Sequence, residues 1–165
     1  MIEIQELKKR FGEHEVLKGI SFVFQERGLY VIEGKSGSGK TTLLTILGGM
    51  EEDYEGSVKV FSKELSSMTE KEKEDYRYSK ISLVFPDFCS KEEETLEENL
   101  MKILDIQSLS QDEKQRKIDS LLSLVGLKNK KKMTFQDLSG GEKKRASLVR
   151  GLLTDTPILL LDEPV

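Results

Sequence analysis

The chain has 165 residues, 36% of them hydrophobic and 34% charged, which suits one folded domain with a buried core and excludes a disordered polymer. A net charge of −4 and a pI near 5.3 give no overall basic surface for nucleic acid or anionic lipid. The single cysteine, Cys89, admits no internal disulfide, no apolar stretch approaches the ~20 residues that span a bilayer, and the start Met1-Ile2-Glu3-Ile4 does not read as a signal peptide, so a cytoplasmic protein is expected.

In chain order, residues 2–7 alternate apolar and polar side chains and predict a half-buried strand. Residues 16–24 predict a second strand, interrupted by Gly19, and the lone histidine, His14, falls in a polar surface turn between them. Glu26-Arg27-Gly28 turns the chain into the apolar run Leu29-Tyr30-Val31-Ile32, expected to be a strand leading into a glycine-rich loop. A helix beginning near Lys40 should stop at Gly48-Gly49. An acidic turn over 51–56 precedes a short strand at 57–61. The spacing Ser67-Met68-Thr69-Glu70 predicts a capping box and a short hydrophilic helix over about 69–78. Residues 81–85 predict a strand that Pro86 ends, since proline supplies no ladder donor.

Thr95-Leu96-Glu97-Glu98 and Ser110-Gln111-Asp112-Glu113 are further capping-box patterns, opening helices that end near Leu104 and Gly126. The basic run 128–132 reads as a solvated linker face, and a second basic cluster lies at 143–145. Leu138-Ser139-Gly140-Gly141-Glu142 opens a helix to about Leu153; Pro157 then leads into Ile158-Leu159-Leu160-Leu161-Asp162-Glu163. That apolar run predicts a strand buried on both faces, as in a parallel sheet. Strands with interposed helices give an α/β class, with the helices of about 92–137 as an inserted subdomain.

Gly34-Lys35-Ser36-Gly37-Ser38-Gly39-Lys40-Thr41-Thr42 fits the phosphate-loop pattern G-x-x-x-x-G-K-[ST] in its strand–loop–helix context. Glycines let the backbone approach a ligand closely, and the unpaired N–H groups of the helix start favour an anion. In such a loop Lys40 reaches the β/γ-phosphates and the Thr41 hydroxyl ligates Mg²⁺. A flexible glycine–serine turn before a capped helix is the blander reading; both flanks favour the phosphate loop. The carboxylates Asp162-Glu163 end a strand, where ligands bind in open α/β sheets.

Three motifs thus stand in order: the phosphate loop, Leu138-Ser139-Gly140-Gly141-Glu142, and the apolar strand ending Asp162-Glu163-Pro164. Together they resemble the ATP-binding cassette (ABC) ATPases over essentially the whole chain. The resemblance implies an α/β P-loop NTPase fold with an N-terminal antiparallel β subdomain and an inserted helical subdomain, in a single domain over 1–165. It implies ATP and Mg²⁺ as cofactors. The nucleotide would be held by Phe11 stacked on adenine, Val16 as an apolar wall, and Gly34, Ser36, Gly37, Ser38, Gly39, Lys40, Thr41 and Thr42 around the phosphates. Thr41 and Asp162 would hold the metal, and Glu163 would act as general base beside Lys40. Ser139, Gly140 and Gly141 match the family signature that faces the γ-phosphate of a second cassette in a head-to-tail dimer; an ordinary serine N-cap is the plainer reading of the same residues.

The hydrophilic helix near Thr69 is similar to the subgroup exporting lipoproteins, macrolides or bacteriocin-type peptides. The implied partners are a second ATPase subunit and an integral-membrane permease, without nucleic acid, and the implied location is the inner face of the cell membrane. Two departures stand out. Pro86 occupies the place of a glutamine that contacts Mg²⁺ and the attacking water, and proline has no side chain able to replace it. The sequence given also runs only to Val165, before the family's switch histidine and before a strand expected between residues 29–32 and the Asp162 strand, so the resemblance implies a core sheet lacking its C-terminal part. That gap, roughly 9–10 Å, leads us to expect a poorly stable chain or a piece of a longer product. Two other readings stand beside the transporter: a nucleotide-binding remnant without turnover, and a chromosome-maintenance or DNA-repair ATPase, whose long heptad arms are not seen here.

Overall fold

Ile2–Phe11 (β1) and His14–Phe24 (β2) pair as a long antiparallel hairpin. A computed structural model of the chain describes residues 1–25, 27–85, 91 and 93–162, in two compact units, Met1–Lys80 and Ile81–Val165.

In the first unit, β1 is flanked by β2 and by Glu55–Val60 (β3), which continues into the short Lys63–Glu64 (β4), giving the antiparallel order β2-β1-β3-β4. Phe61 and Ser62 link β3 to β4 with φ of 50° and 65°, the two left-handed residues of a tight hairpin turn. Glu6, at φ 47°, makes a bulge in β1 where the register slips between Ile4 and Leu7. The bulge switches the buried parity, so Ile2 and Ile4 are buried before it and Leu7 and Lys9 after it.

Lys40–Leu47 forms α1, which buries Leu43, Leu44, Ile46 and Leu47. Glu70–Ser79 forms α2, whose capping box joins Thr69 to Glu72 instead of Ser67 to Glu70. Ser67 belongs to a single 3₁₀ turn, Leu65–Ser67, and its hydroxyl donates to the Glu64 carbonyl at 3.0 Å.

The second unit pairs Ile81–Val84 (β5) with Ile158–Leu161 (β6) in parallel, Ile81 opposite Ile158 and Val84 opposite Leu161. Three helices, Leu96–Leu104 (α3), Gln111–Leu124 (α4) and Gly140–Leu153 (α5), share a core that includes Leu100, Ile118, Leu122, Phe135 and Val149. Capping boxes Thr95–Glu98 and Ser110–Glu113 start α3 and α4 where the sequence placed them. A Cβ on Gly151 would meet Val84 and Leu159 closer than 3.0 Å, so only glycine lets α5 lie this near the two strands.

Two further sequence expectations need correction. Residues 29–32 form no strand: Leu29 is 88% and Val31 71% exposed, and the segment joins no ladder among the described residues. An apolar run is compatible with a strand, but a strand exists only against a hydrogen-bonded neighbour. Strand β6 is only partly buried, because among the described residues it pairs with β5 alone and packs against α5.

Candidate nucleotide-phosphate site

The phosphate loop ends in an α1 N-terminus without a side-chain cap. Gly39 takes the cap position in a left-handed conformation, φ 91° and ψ 12°, and its carbonyl accepts the first helical bond from the Leu43 N–H at 2.8 Å. A Cβ there would lie 2.8 Å from both Val16 Cγ1 and Leu17 Cδ2, so β2 presses directly on the loop. The structure therefore brings Val16 and Gly39 together. Gly37 is also left-handed, at φ 77°, and a Cβ on Gly34 would collide with the Ser38 hydroxyl.

Lys40 folds back across this loop: its ammonium donates to the Gly34 carbonyl at 2.9 Å and to the Lys35 carbonyl at 3.0 Å. The Ser38 N–H closes the turn onto the Lys35 carbonyl at 3.1 Å. An ammonium has three donors, and two are used here. Ser36, Gly37, Ser38 and Thr41 are exposed, and Thr42 is half-buried. A loop with a pinned cation, an uncapped helix start and no room for side chains at Gly34 or Gly39 fits a bound polyphosphate.

Phe11, at the end of β1, is 52% exposed, and the Lys9 ammonium lies 4.7 Å from its ring centroid. Sequence reading missed Lys9, which is buried on the same strand. Its ammonium pairs with Glu51 at 3.2 Å and Asp53 at 3.0 Å, in the acidic segment after α1. Burial pulls the Lys9 pKa down, but the Asp53 and Glu51 carboxylates outweigh it and hold the pKa above the ordinary lysine value. The missed signal is the parity change at the Glu6 bulge, which moves Lys9 to the inward face. Two further contacts hold the far end of α1. Tyr76 donates to the Leu47 carbonyl at 2.6 Å and Arg77 to the Gly49 carbonyl at 2.8 Å.

The second unit carries the remaining motif residues. Asp162 is buried just beyond β6, and its N–H donates to the Val84 carbonyl at 3.0 Å, prolonging the parallel pairing. Ser139 caps α5 in a reciprocal box: its N–H and hydroxyl both donate to the Glu142 carboxylate at 2.9 Å, and its oxygen accepts from the Glu142 N–H at 3.4 Å. The Ser139 N–H, then its hydroxyl, holds the Glu142 carboxyl below its usual range. Gly140 and Gly141 follow, both exposed. Glu163, Pro86 and Cys89 lie outside the described residues. No cluster of three metal-binding side chains occurs among the described residues.

The sequence profile of the family described as ABC transporter matches residues 17–165, nine-tenths of the chain. The chain belongs to the ABC transporter family. Among its relatives, the methionine import ATP-binding protein MetN of Campylobacter jejuni is 34% identical over 179 residues, covering 99% of this chain and 53% of MetN. The lipoprotein-releasing system ATP-binding protein LolD of Bacteroides thetaiotaomicron is 35% identical, covering 99% of this chain and 75% of LolD. The macrolide export ATP-binding/permease protein MacB of Mannheimia succiniciproducens is 36% identical, covering 99% of this chain and 26% of MacB. The chain spans about half the length of the MetN relatives it matches. The solved ATP-binding cassette MJ0796, a dimer in a post-hydrolysis state bound to ADP and Pi, superposes with a TM-score of 0.88 at 27% identity, over all of this chain and 75% of that one. The fold of this ABC family member is therefore the mixed α/β cassette, with its antiparallel β region. Family membership implies nucleotide binding. No helix among the described residues is long and apolar enough to cross a membrane.

Proposed function

We propose that this chain is the ATP-binding subunit of an ABC transporter, working as a head-to-tail dimer on an integral-membrane permease at the inner face of the cell membrane. One observation carries the proposal: a helix N-terminus without a side-chain cap, preceded by left-handed glycines and crossed by the Lys40 ammonium. Backbone N–H groups of residues 36–41 bind the phosphate oxygens, and Lys40 supplies the cation that draws in the β/γ-phosphates. Phe11, half open to solvent, stacks on the base, with Val16 as the wall beside the loop. Thr41 would hold Mg²⁺, as would Asp162, and the ion would offset phosphate charge. Glu163 accepts the proton of the attacking water, and Ser139, Gly140 and Gly141 face the γ-phosphate held by the partner cassette.

The names of LolD and MacB support export and that of MetN supports import, so cargo direction rests with the permease. Pro86, standing where the family places a glutamine, favours a second reading in which the chain binds ATP without turnover. Phosphate release from ATP, measured beside ATP binding, tests both. Wild type faster than Lys40→Ala supports the transporter ATPase. Equal rates with ATP binding retained support the second reading, and a folded wild type that binds no ATP overturns both.

A further inference from the structure

We infer that Lys9 is the positioning residue for the nucleotide base, fixing the Phe11 ring from its inner face and tying it to the segment that follows the phosphate-loop helix. This deepens, and rests on, the nucleotide-binding reading of the same site. Lys9 and Phe11 lie two residues apart on β1; the β1–β2 register shifts again between Lys9 and Arg10, and it is the Lys9 ammonium lying over the Phe11 ring that shows the two side chains to share one face of the strand. The Lys9 side chain is only 3% exposed, whereas Phe11 is half open to solvent. One ring face thus meets a desolvated cation at 4.7 Å, while the aromatic as a whole keeps surface available for a ligand.

A buried lysine is a poor choice for packing alone, since apolar groups of similar volume fill such sites at equal or lower cost. Here the charge has a definite set of partners. Its donors reach Glu51 at 3.2 Å, the Asp53 carboxylate at 3.0 Å and the Asp53 carbonyl. Both acidic residues lie between α1 and β3, at the end of α1 opposite the phosphate loop. At the loop end, Gly39 sits against Val16 and Leu17 of β2. The β1–β2 hairpin is thereby pinned to both ends of the α1 region. The pair of ties sets the position of the base platform relative to the phosphate cradle. A ring already immobilised loses less freedom when a purine stacks on it, and the cation beneath holds that ring by its π face.

The consequence is selective: Lys9 should matter to a ligand that carries a base and not to a bare polyphosphate. Calorimetry with MgATP and with magnesium tripolyphosphate, on wild type, Lys9→Met, Lys9→Arg, Phe11→Leu and the Lys9→Met/Phe11→Leu double variant, tests this. Lys9→Met is expected to weaken ATP by about 2–5-fold, leave tripolyphosphate unchanged, and add nothing in the Phe11→Leu background; Lys9→Arg restores ATP binding. Unchanged ATP affinity in Lys9→Met, or equal losses for both ligands, overturns the inference. Should Lys9→Met not fold, Asp53→Ala, whose native side chain is 95% exposed, takes its place. A loss confined to ATP in that variant supports the inference, and no loss or equal losses overturn it. A folded wild type that binds neither ligand overturns the nucleotide reading itself, a result distinct from wild-type binding that is indifferent to Lys9.

Discussion

The Tyr76 hydroxyl donates a 2.6 Å hydrogen bond to the carbonyl of Leu47, the last residue of α1. A helix ends with carbonyls that lack intrahelical partners, and α2 supplies partners here through Tyr76 and, two residues beyond Leu47, through Arg77 on Gly49. The bond is buried, and burial pushes the Tyr76 hydroxyl pKa well above its usual value, with Tyr54 adding to the shift. Tyr76→Phe removes the donor and leaves a buried carbonyl without it. The expected loss is about 1–3 kcal/mol of stability, read from the urea midpoint. A midpoint equal to wild type would contradict this account of how α1 is anchored.

Gly39 is the position where conformation and space coincide. Its left-handed φ of 91° disfavours any side chain, and Val16 and Leu17 would stand 2.8 Å from a new Cβ. Gly39→Ala is expected to cost at least ~1–2 kcal/mol in denaturant unfolding and to weaken ATP binding, because the loop must move to admit the methyl group. An alanine variant with wild-type stability and affinity would show that the loop is not held against β2.

Acid should unfold the chain partly through its capping boxes. The Lys63 hydrogen bond, then the Thr69 N–H and hydroxyl, depress the Glu72 carboxyl from 4.5 to about 2. Glu98 and Glu113 are lowered chiefly by the Thr95 and Ser110 hydroxyls, and Glu142 chiefly by the Ser139 N–H. A depressed folded pKa means that the unfolded chain binds protons first as pH falls. The Glu72 contribution is therefore complete above pH 4.5 and drains away as pH falls from 4.5 to about 2, and the other three act in the same direction. Urea midpoints measured across that window should fall, and less steeply in Glu72→Gln. Identical pH profiles for the two proteins would rule out the Glu72 part of the explanation.

Contiguous signals were the legible ones. The helix start at Lys40 and the boxes at Thr95 and Ser110 rest on residues close together in the chain and are found where they were read, whereas β1 runs past Leu7 to Phe11 and, among the described residues, no strand precedes the loop. Contacts assembled from distant segments left no such trace. Lys9 meets Asp53 across 44 positions and Tyr76 meets Leu47 across 29, and neither pairing has a local pattern. The Glu6 bulge hid Lys9 further by inverting the alternation. Residues 29–32 failed for another reason: hydrophobic periodicity reports what a side chain tolerates, whereas a strand also requires a neighbouring backbone.

That difference is measurable by amide hydrogen exchange. The amides of Leu29, Val31 and Ile32 are expected to exchange much faster than those of Ile4 and Lys8, which lie inside the β2-β1-β3 ladder. Equal protection in the two segments would mean that residues 29–32 are paired after all.

The account turns on whether the loop amides receive phosphate. Amide chemical shifts of the ¹⁵N-labelled chain, titrated with MgATP, read this residue by residue. The largest changes are expected across residues 36–41 and should vanish in Lys40→Ala. Changes confined to other segments, or unaltered by removing the Lys40 ammonium, would contradict it.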